Sequence, residues 1–428
     1  MAQDGDQKQY HTGGWSAHFV MIVCTLLFIV NYMDRQVFSA VLQPMKVDLG
    51  LTDAQCGLVA TVFLLCMPIF SIFIAYMVDR WSRTKSMGIM ALFWSAFTFI
   101  TGLAPNFIGL LIPRALVGVG EAGFVPGGNA LISASYPQEK RGRAMGIFNM
   151  AIPIGAAIGV MVGGIVAAKY GWRTPFFYFA IPGVILGILA FFMKDYKTTD
   201  TVGAGGTNRN LGTAMVAVLK LRTVRWLYPA LGLTVFMSTT FLIWTPALIM
   251  RLLNYDAGQA GTLAGFFGLV AIIGMPLGGF LADRWHKKDP RGRMYLAAVA
   301  NIIGAALIAG AVLLKLNTIG IILGFLYGIA VSVSIPAFAT VYLDIVPVAH
   351  RGMSTSLGLV AQYVLGGAWG PYVIGAISDA WGGGGSGLAN ALLICCVVGV
   401  LGAICYIMGA KDYASDAEKI KHEAVLAA

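Results

Sequence analysis

Charge is what this sequence has least of. Asp, Glu, Lys and Arg make up 11% of its 428 residues, where a soluble globular protein carries about 25%. With 58% hydrophobic residues and a mean hydropathy of +0.78, the chain reads as an integral membrane protein. Histidine is scarce too. Most of the five lie in tails or basic loops, so no histidine-based catalytic or metal site is visible. The six cysteines, Cys24, Cys56, Cys66, Cys395, Cys396 and Cys405, all fall in apolar runs without metal-ligand spacing. They read as small buried hydrophobes, and a disulfide framework is not supported. No nucleophile–base pair is spaced for catalysis, so the chain is expected to be no enzyme and to need no cofactor or metal. The N-terminal stretch from Met1 to Trp15 lacks a basic region and a small-residue cleavage site, and is expected to be retained.

What the chain does have is long apolar runs, about twelve of them. Hydropathy sets them roughly at 17–45, 53–79, 86–104, 107–136, 141–169, 174–194, 226–253, 259–284, 293–314, 318–344, 351–379 and 387–410. The net charge of +10 does not point to nucleic acid, because the basic residues cluster in alternate loops. Arg80, Arg83 and Lys85 share one, Lys140, Arg141 and Arg143 another, and Arg284, Lys287, Lys288, Arg291 and Arg293 a third. A fourth set, from Lys194 to Arg225, lies in a polar segment that also holds Gly203-Ala204-Gly205-Gly206. This positive-inside asymmetry predicts both termini in the cytoplasm. The expected organisation is a tail (1–16), a six-helix bundle (17–194), a linker with a short amphipathic helix on the membrane surface (195–225), a second six-helix bundle (226–410) and a tail (411–428).

The two halves repeat. Asp79-Arg80-Trp81 recurs as Asp283-Arg284-Trp285, 204 positions later, and Pro137 with Arg141-Gly142 recurs as Pro347 with Arg351-Gly352. Paired halves of this kind commonly rock around a site near the bilayer midplane.

The candidate site begins with Asn31-Tyr32-Met33-Asp34-Arg35 in the first run. At 1.5 Å per residue, Asp34 lies roughly 24 Å up a helix that starts near His18, inside a hydrocarbon core about 30 Å thick. An ionised group at that depth costs at least ~2.5–3.5 kcal/mol and normally faces a cavity or a partner. It is read either as a structural ion pair or as the lining of a polar pathway. In the fourth run Arg114, Gly118 and Glu121 stand at i, i+4 and i+7 on one helix face. Arg114 and Glu121 are then about 10 Å apart, so each needs a partner on another helix. Asp34 and Arg35 are the obvious ones.

The duplicated loop resembles the signature of the major facilitator superfamily, Gly-x-x-x-Asp-Arg-x-Gly-Arg-Arg. Asp79, Arg80 and Arg83 fit it, with Ala75 and Ser82 in place of the glycines; Gly279, Asp283 and Arg284 fit in the second half. The resemblance implies twelve transmembrane helices in two pseudo-symmetric six-helix bundles, an all-α membrane protein. It also implies a conformational gate of Asp79, Arg80, Arg83, Asp283 and Arg284, with Asp79 and Asp283 facing the starts of the eleventh and fifth spans. Asn-Tyr-Met-Asp-Arg, Arg-x-x-x-Gly-x-Gly-Glu-Ala and Lys140-Arg141-Gly142-Arg143 resemble the spinster-like branch, and the anion–cation symporter branch shares much of this layout. That resemblance implies proton-responsive roles for Asp34 and Glu121, with Arg35 as their partner and a substrate contact. The fifth run lacks the Gly-Pro of the drug-antiporter signature.

The second half is electrically quiet. The position matching Asp34 is Ser238, and the nearby spans offer hydroxyls and aromatics such as Trp244 and Tyr363 but no midplane charge. The expected site therefore takes charge from the first half and a largely apolar wall from the second, which suits an organic or amphipathic anion. The reading is a proton-coupled transporter, acting as a monomer in the bilayer, of a monocarboxylate-like anion; a spinster-like lipid or lysolipid exporter is the alternative. A receptor or scaffold without transport is the reading from another class. Substrate binding is expected at Arg35, Arg114, Asn31, Trp244 and Tyr363, and proton coupling at Asp34 and Glu121.

Overall fold

The structure, a computed structural model, describes residues 13–195, 211–346 and 351–426. Every described element is helical. In the first half, α1 runs Gly14–Leu49, α2 Asp53–Arg80, α3 Arg83–Gly102, α4 Phe107–Glu121, α5 Phe124–Ser135, α6 Gln138–Asn149, α7 Ala151–Tyr170 and α8 Thr174–Ala190. After the short α9, Leu211–Lys220, the second half holds α10 Arg222–Leu253, α11 Ala257–Leu269, α12 Ala271–Lys288, α13 Gly292–Leu313 and α14 Thr318–Ile345. It ends with α15 Arg351–Gln362, a π-helical turn Tyr363–Gly367, α16 Gly370–Ala380 and α17 Gly384–Leu426.

Local chemistry sets several of these boundaries. Gly50 closes α1 in the left-handed region, at φ 61°, where a side chain would be strained. The Ser82, Asn106 and Asn317 side chains accept the backbone N–H three residues on and start α3, α4 and α14. Asp256 and Gln259 form a reciprocal capping box at α11.

Among the described residues, ten helices are long and apolar enough to cross a membrane, against twelve expected. The remaining two expected runs are helical as well. α3 opens with Arg83 and Lys85 and carries five Ser or Thr side chains, which dilute its apolar character. α8 has 17 residues, about 26 Å of helix, slightly short of a ~30 Å core. A second difference lies at the C-terminus. The expected polar tail from 411 is instead a continuation of α17 as far as Leu426. It is held there because Tyr413 donates to Asp344 at 2.5 Å, while Asp416 accepts from the backbone N–H and hydroxyl of Thr223 at the start of α10.

Each half has its own buried core, and a further core draws on both. That shared core joins Val41, Met45 and Cys56 to Trp244, Ile249 and Leu388. The halves approach closely along two helix pairs, α2 with α16 and α7 with α11. At Gly57 an added Cβ would run into the Pro371 carbonyl, and at Gly164 into that of Ala257. Glycine is what lets the backbones touch there.

Candidate functional site

Asp34 and Arg35 stand in the middle of α1; Arg114 lies inside α4 and Glu121 ends it. α4 comes close to its neighbours through its glycines. A Cβ at Gly118 would meet the Phe63 carbonyl of α2, 2.6 Å away, and one at Gly120 would meet Trp94 of α3 at 3.1 Å. The four charged groups then sort into two pairs between α1 and α4. Arg35 Nε donates to Glu121 Oε2 at 2.7 Å. Arg114 Nη1 lies 3.3 Å from Asp34 Oδ1, and both of its terminal nitrogens also reach the Asp34 carbonyl, at 3.4 and 3.3 Å. Thr98, on α3, donates its hydroxyl to Asp34 Oδ2, so three helices meet at one carboxylate.

All four side chains are nearly sealed from solvent, at 10% and 0% exposure for Arg35 and Glu121 and 3% and 2% for Arg114 and Asp34. Charges at such depth require compensation, and two acids against two bases leave the cluster neutral. Aromatic faces add to it. The Arg35 guanidinium lies 4.8 Å from the Tyr32 ring centroid, and that of Arg114 lies 5.1 Å from Phe38 and 5.2 Å from Phe176.

A cavity of about 120 Å³ opens beside these pairs. The first half contributes Tyr32, Arg35, Phe63 and Arg114 to its wall, and the second half Thr239, Leu242, Ile243 and Tyr363. Arg35 and Arg114 are among its lining residues, and their partners Glu121 and Asp34 are not. The acids stand behind the bases. An entering group therefore meets positive charge first, with an apolar wall opposite.

Of the expected substrate contacts, Arg35, Arg114 and Tyr363 lie at this cavity, and Asn31 and Trp244 do not. Asn31 is fully buried one helical turn before Arg35, with neither amide atom bonded within the protein. Trp244 is also fully buried and donates to the Pro371 carbonyl at 3.1 Å, tying α10 to α16. Neither is among the residues lining the cavity, a distinction that residue type does not carry.

Of the gate residues, the side chains of Asp79 and Arg80 lie outside the described residues. Arg83 is buried at the start of α3 and Arg284 is exposed. Among the described residues, the Asp283 carboxylate is bonded within its own half. It accepts from Arg293 Nη2 at 3.2 Å, and the same guanidinium is bonded to Asp344. The cation delayed by the insertion thus holds the carboxylate within its own half.

A cross-half network absent from the sequence reading sits at the other end of the molecule, around Asp53 at the start of α2. Its fully buried carboxylate accepts from Lys46 at 2.5 Å, from both terminal nitrogens of Arg251 at 2.6 and 2.8 Å, and from Ser378 at 2.7 Å. Asp379 in turn accepts the backbone N–H groups of Asp53 and Ala54 at 3.0 and 2.7 Å, an acid at a helix N-terminus. Arg251 also reaches Gln43 at 2.7 Å. Sequence offered only a faint signal here, two opposite charges at run ends 198 positions apart.

Comparison with known proteins bears on this geometry. Residues 24–371 match the Major Facilitator Superfamily. The chain is 26% identical to an MFS-type efflux pump of Mycolicibacterium smegmatis over 428 residues, 97% of each protein. It is 27% identical to Protein spinster of Drosophila melanogaster over 384 residues, 86% of this chain and 63% of that protein's length. Its fold is similar to that of a bacterial homolog of the human lysosomal transporter Spinster, with a TM-score of 0.83 at 23% identity, over 94% of this chain and 99% of the other.

Proposed function

The chain belongs to the major facilitator superfamily and is related to its spinster branch, and from that premise we propose that it carries an amphipathic organic anion by alternating access, with protons balancing the charge. It is a multi-pass membrane transporter of a small solute and not an enzyme. The observation that carries the finer reading is the order of charges at the cavity: Arg35 and Arg114 in its wall, Glu121 and Asp34 bonded behind them. An anion held by Arg35 competes with Glu121 for the same guanidinium. The displaced carboxylate then lacks a partner in a buried site, which costs several kcal/mol, and taking a proton relieves that cost. One anion and one proton leave the cluster neutral. Val59, Phe63, Leu64, Leu242 and Ile243 offer the apolar body of the substrate a wall.

The relationship to spinster favours an amphipathic lipid-like anion over a monocarboxylate. The modest cavity keeps a short monocarboxylate as the second reading. Reconstituted vesicles carrying a pH gradient separate them, with lysophosphatidylglycerol and lactate as the two probes. Proton-dependent movement of the lysolipid supports the first reading, and movement of lactate alone supports the second. Flux of either that is indifferent to pH removes the proton from the account.

The basic loops support an orientation with both termini in the cytoplasm. α3 and α8 then complete twelve spans, and the Asp53 network lies on the outer side, where it holds the halves together.

A further inference from the structure

The span formed by α15 and α16 is interrupted by the π-helical turn Tyr363–Gly367, in which the Tyr363 carbonyl accepts from Ala368, five residues on, at 3.0 Å. One extra residue in a turn rotates everything before it by about 100° relative to everything after it. Wound as a plain α-helix onto α16, the chain would carry Tyr363 about that far from its present direction, away from the cavity it now lines. Two carbonyls here lack their usual partners, Val364 O through the π turn and Gly367 O because Pro371, four residues on, has no N–H, and side chains supply them. Trp369 Nε1 donates to Val364 O at 2.9 Å, within the same segment. Gly367 O is reached from another helix: Thr239 Oγ1 of α10 lies 2.7 Å away.

Thr239 has an alternative, since its hydroxyl also lies 2.6 Å from Val235 O on its own helix. The single proton is shared between a bond local to α10 and one that grips the turn. Packing fixes the same contact. Gly366 rests on the Gly232 backbone of α10, where a Cβ would collide with the Gly232 carbonyl. Thr239 and Tyr363 line the cavity together, with Arg35 facing them from the first half.

We propose that Thr239 is a positioning residue for substrate recognition: by holding the Gly367 carbonyl it keeps the π turn in the register that presents Tyr363 to the anionic group gathered by Arg35. The inference rests on the anion reading of Arg35 given above. It makes Tyr363 the second half's contact to that group, so that an occupied site bridges the two halves.

The test is a double-variant cycle on lysophosphatidylglycerol counterflow in vesicles. Thr239→Val is expected to raise the apparent KM about fivefold, the worth of one hydrogen bond, with kcat little changed. Thr239→Ser, which keeps the hydroxyl, is expected to stay within about twofold of the parent. Tyr363→Phe is expected to show a loss like that of Thr239→Val, and the double variant to be no worse than Tyr363→Phe alone. Losses that multiply in the double variant, or a Thr239→Ser as impaired as Thr239→Val, overturn the proposal. Should Thr239→Val fail to reach the membrane folded, Thr239→Ala carries the same cycle. Failure of the anion reading shows separately, as Arg35→Ala leaving the apparent KM unchanged.

Discussion

Asp34 and Ser238 occupy matching positions, 204 residues apart, in the first long helix of each half, and they do opposite things. Asp34 gathers Arg114 and Thr98 from two other helices, whereas Ser238 bonds back to Val235 of its own helix at 3.3 Å. The same contrast holds across the cavity. The first half brings two buried ion pairs, and the second brings a hydroxyl, a phenol and aliphatic side chains. A buried charge cluster needs fixed neighbours, because leaving one partner unpaired costs about 3–5 kcal/mol. Concentrating it within α1, α3 and α4 keeps those neighbours within one half. The second half contributes contacts that are cheap to make and break.

That division gives the largest effect to removal of a first-half charge. Arg35→Ala takes the counter-charge from the anion and leaves Glu121 buried alone. Losing one partner of such a pair costs about 2–5 kcal/mol, roughly thirty-fold to a few thousand-fold in affinity. Counterflow affinity should fall by that much at every pH. Binding that survives would shift the anion to Arg114 or make the substrate neutral.

The Asp53 network ties the halves together through charged hydrogen bonds, so the next largest effect is on the cycle rather than on binding. Arg251→Gln removes two bonds to the Asp53 carboxylate and leaves Lys46 as its cation among the described residues. It is expected to change turnover about tenfold, on the scale of one or two charge-assisted bonds, with affinity nearly unchanged. Initial-rate measurements against concentration check this. An unaltered turnover would mean that the network is no brake on opening.

The smallest effect belongs to Ser238 itself. Ser238→Ala removes a hydroxyl that bonds back to Val235 of its own helix, and affinity and turnover should both stay within about twofold. A large loss would break the comparison, since it would give Ser238 a role in the site that its bond within α10 does not suggest.

The charged cluster was legible in sequence because Asp34, Arg35, Arg114 and Glu121 interrupt apolar runs, where charge is expensive, and because helical spacing separates Arg114 from Glu121. Pairing then follows from sign. Thr98 was not legible: it is one hydroxyl among several in α3, and only tertiary contact distinguishes it. Asn31 and Trp244 have suitable chemistry but do not line the cavity, which one sequence does not resolve when the whole helix is apolar. The π turn escapes hydropathy altogether, because one extra residue leaves average composition untouched while turning a side chain by about 100°. Run ends carried the weakest signal, and there Asp53 and Arg251 looked like ordinary flanking charges.

The central claim is that Glu121 takes up the proton that balances the anion, and one measurement addresses it most directly. Glu121→Gln keeps the shape of the side chain and fixes it in a neutral state. Counterflow and proton-driven accumulation are measured side by side in the same proteoliposomes, for the parent and for this variant. The account predicts that Glu121→Gln still exchanges substrate across the membrane but no longer accumulates it against a gradient. Full proton-driven accumulation by Glu121→Gln would contradict it.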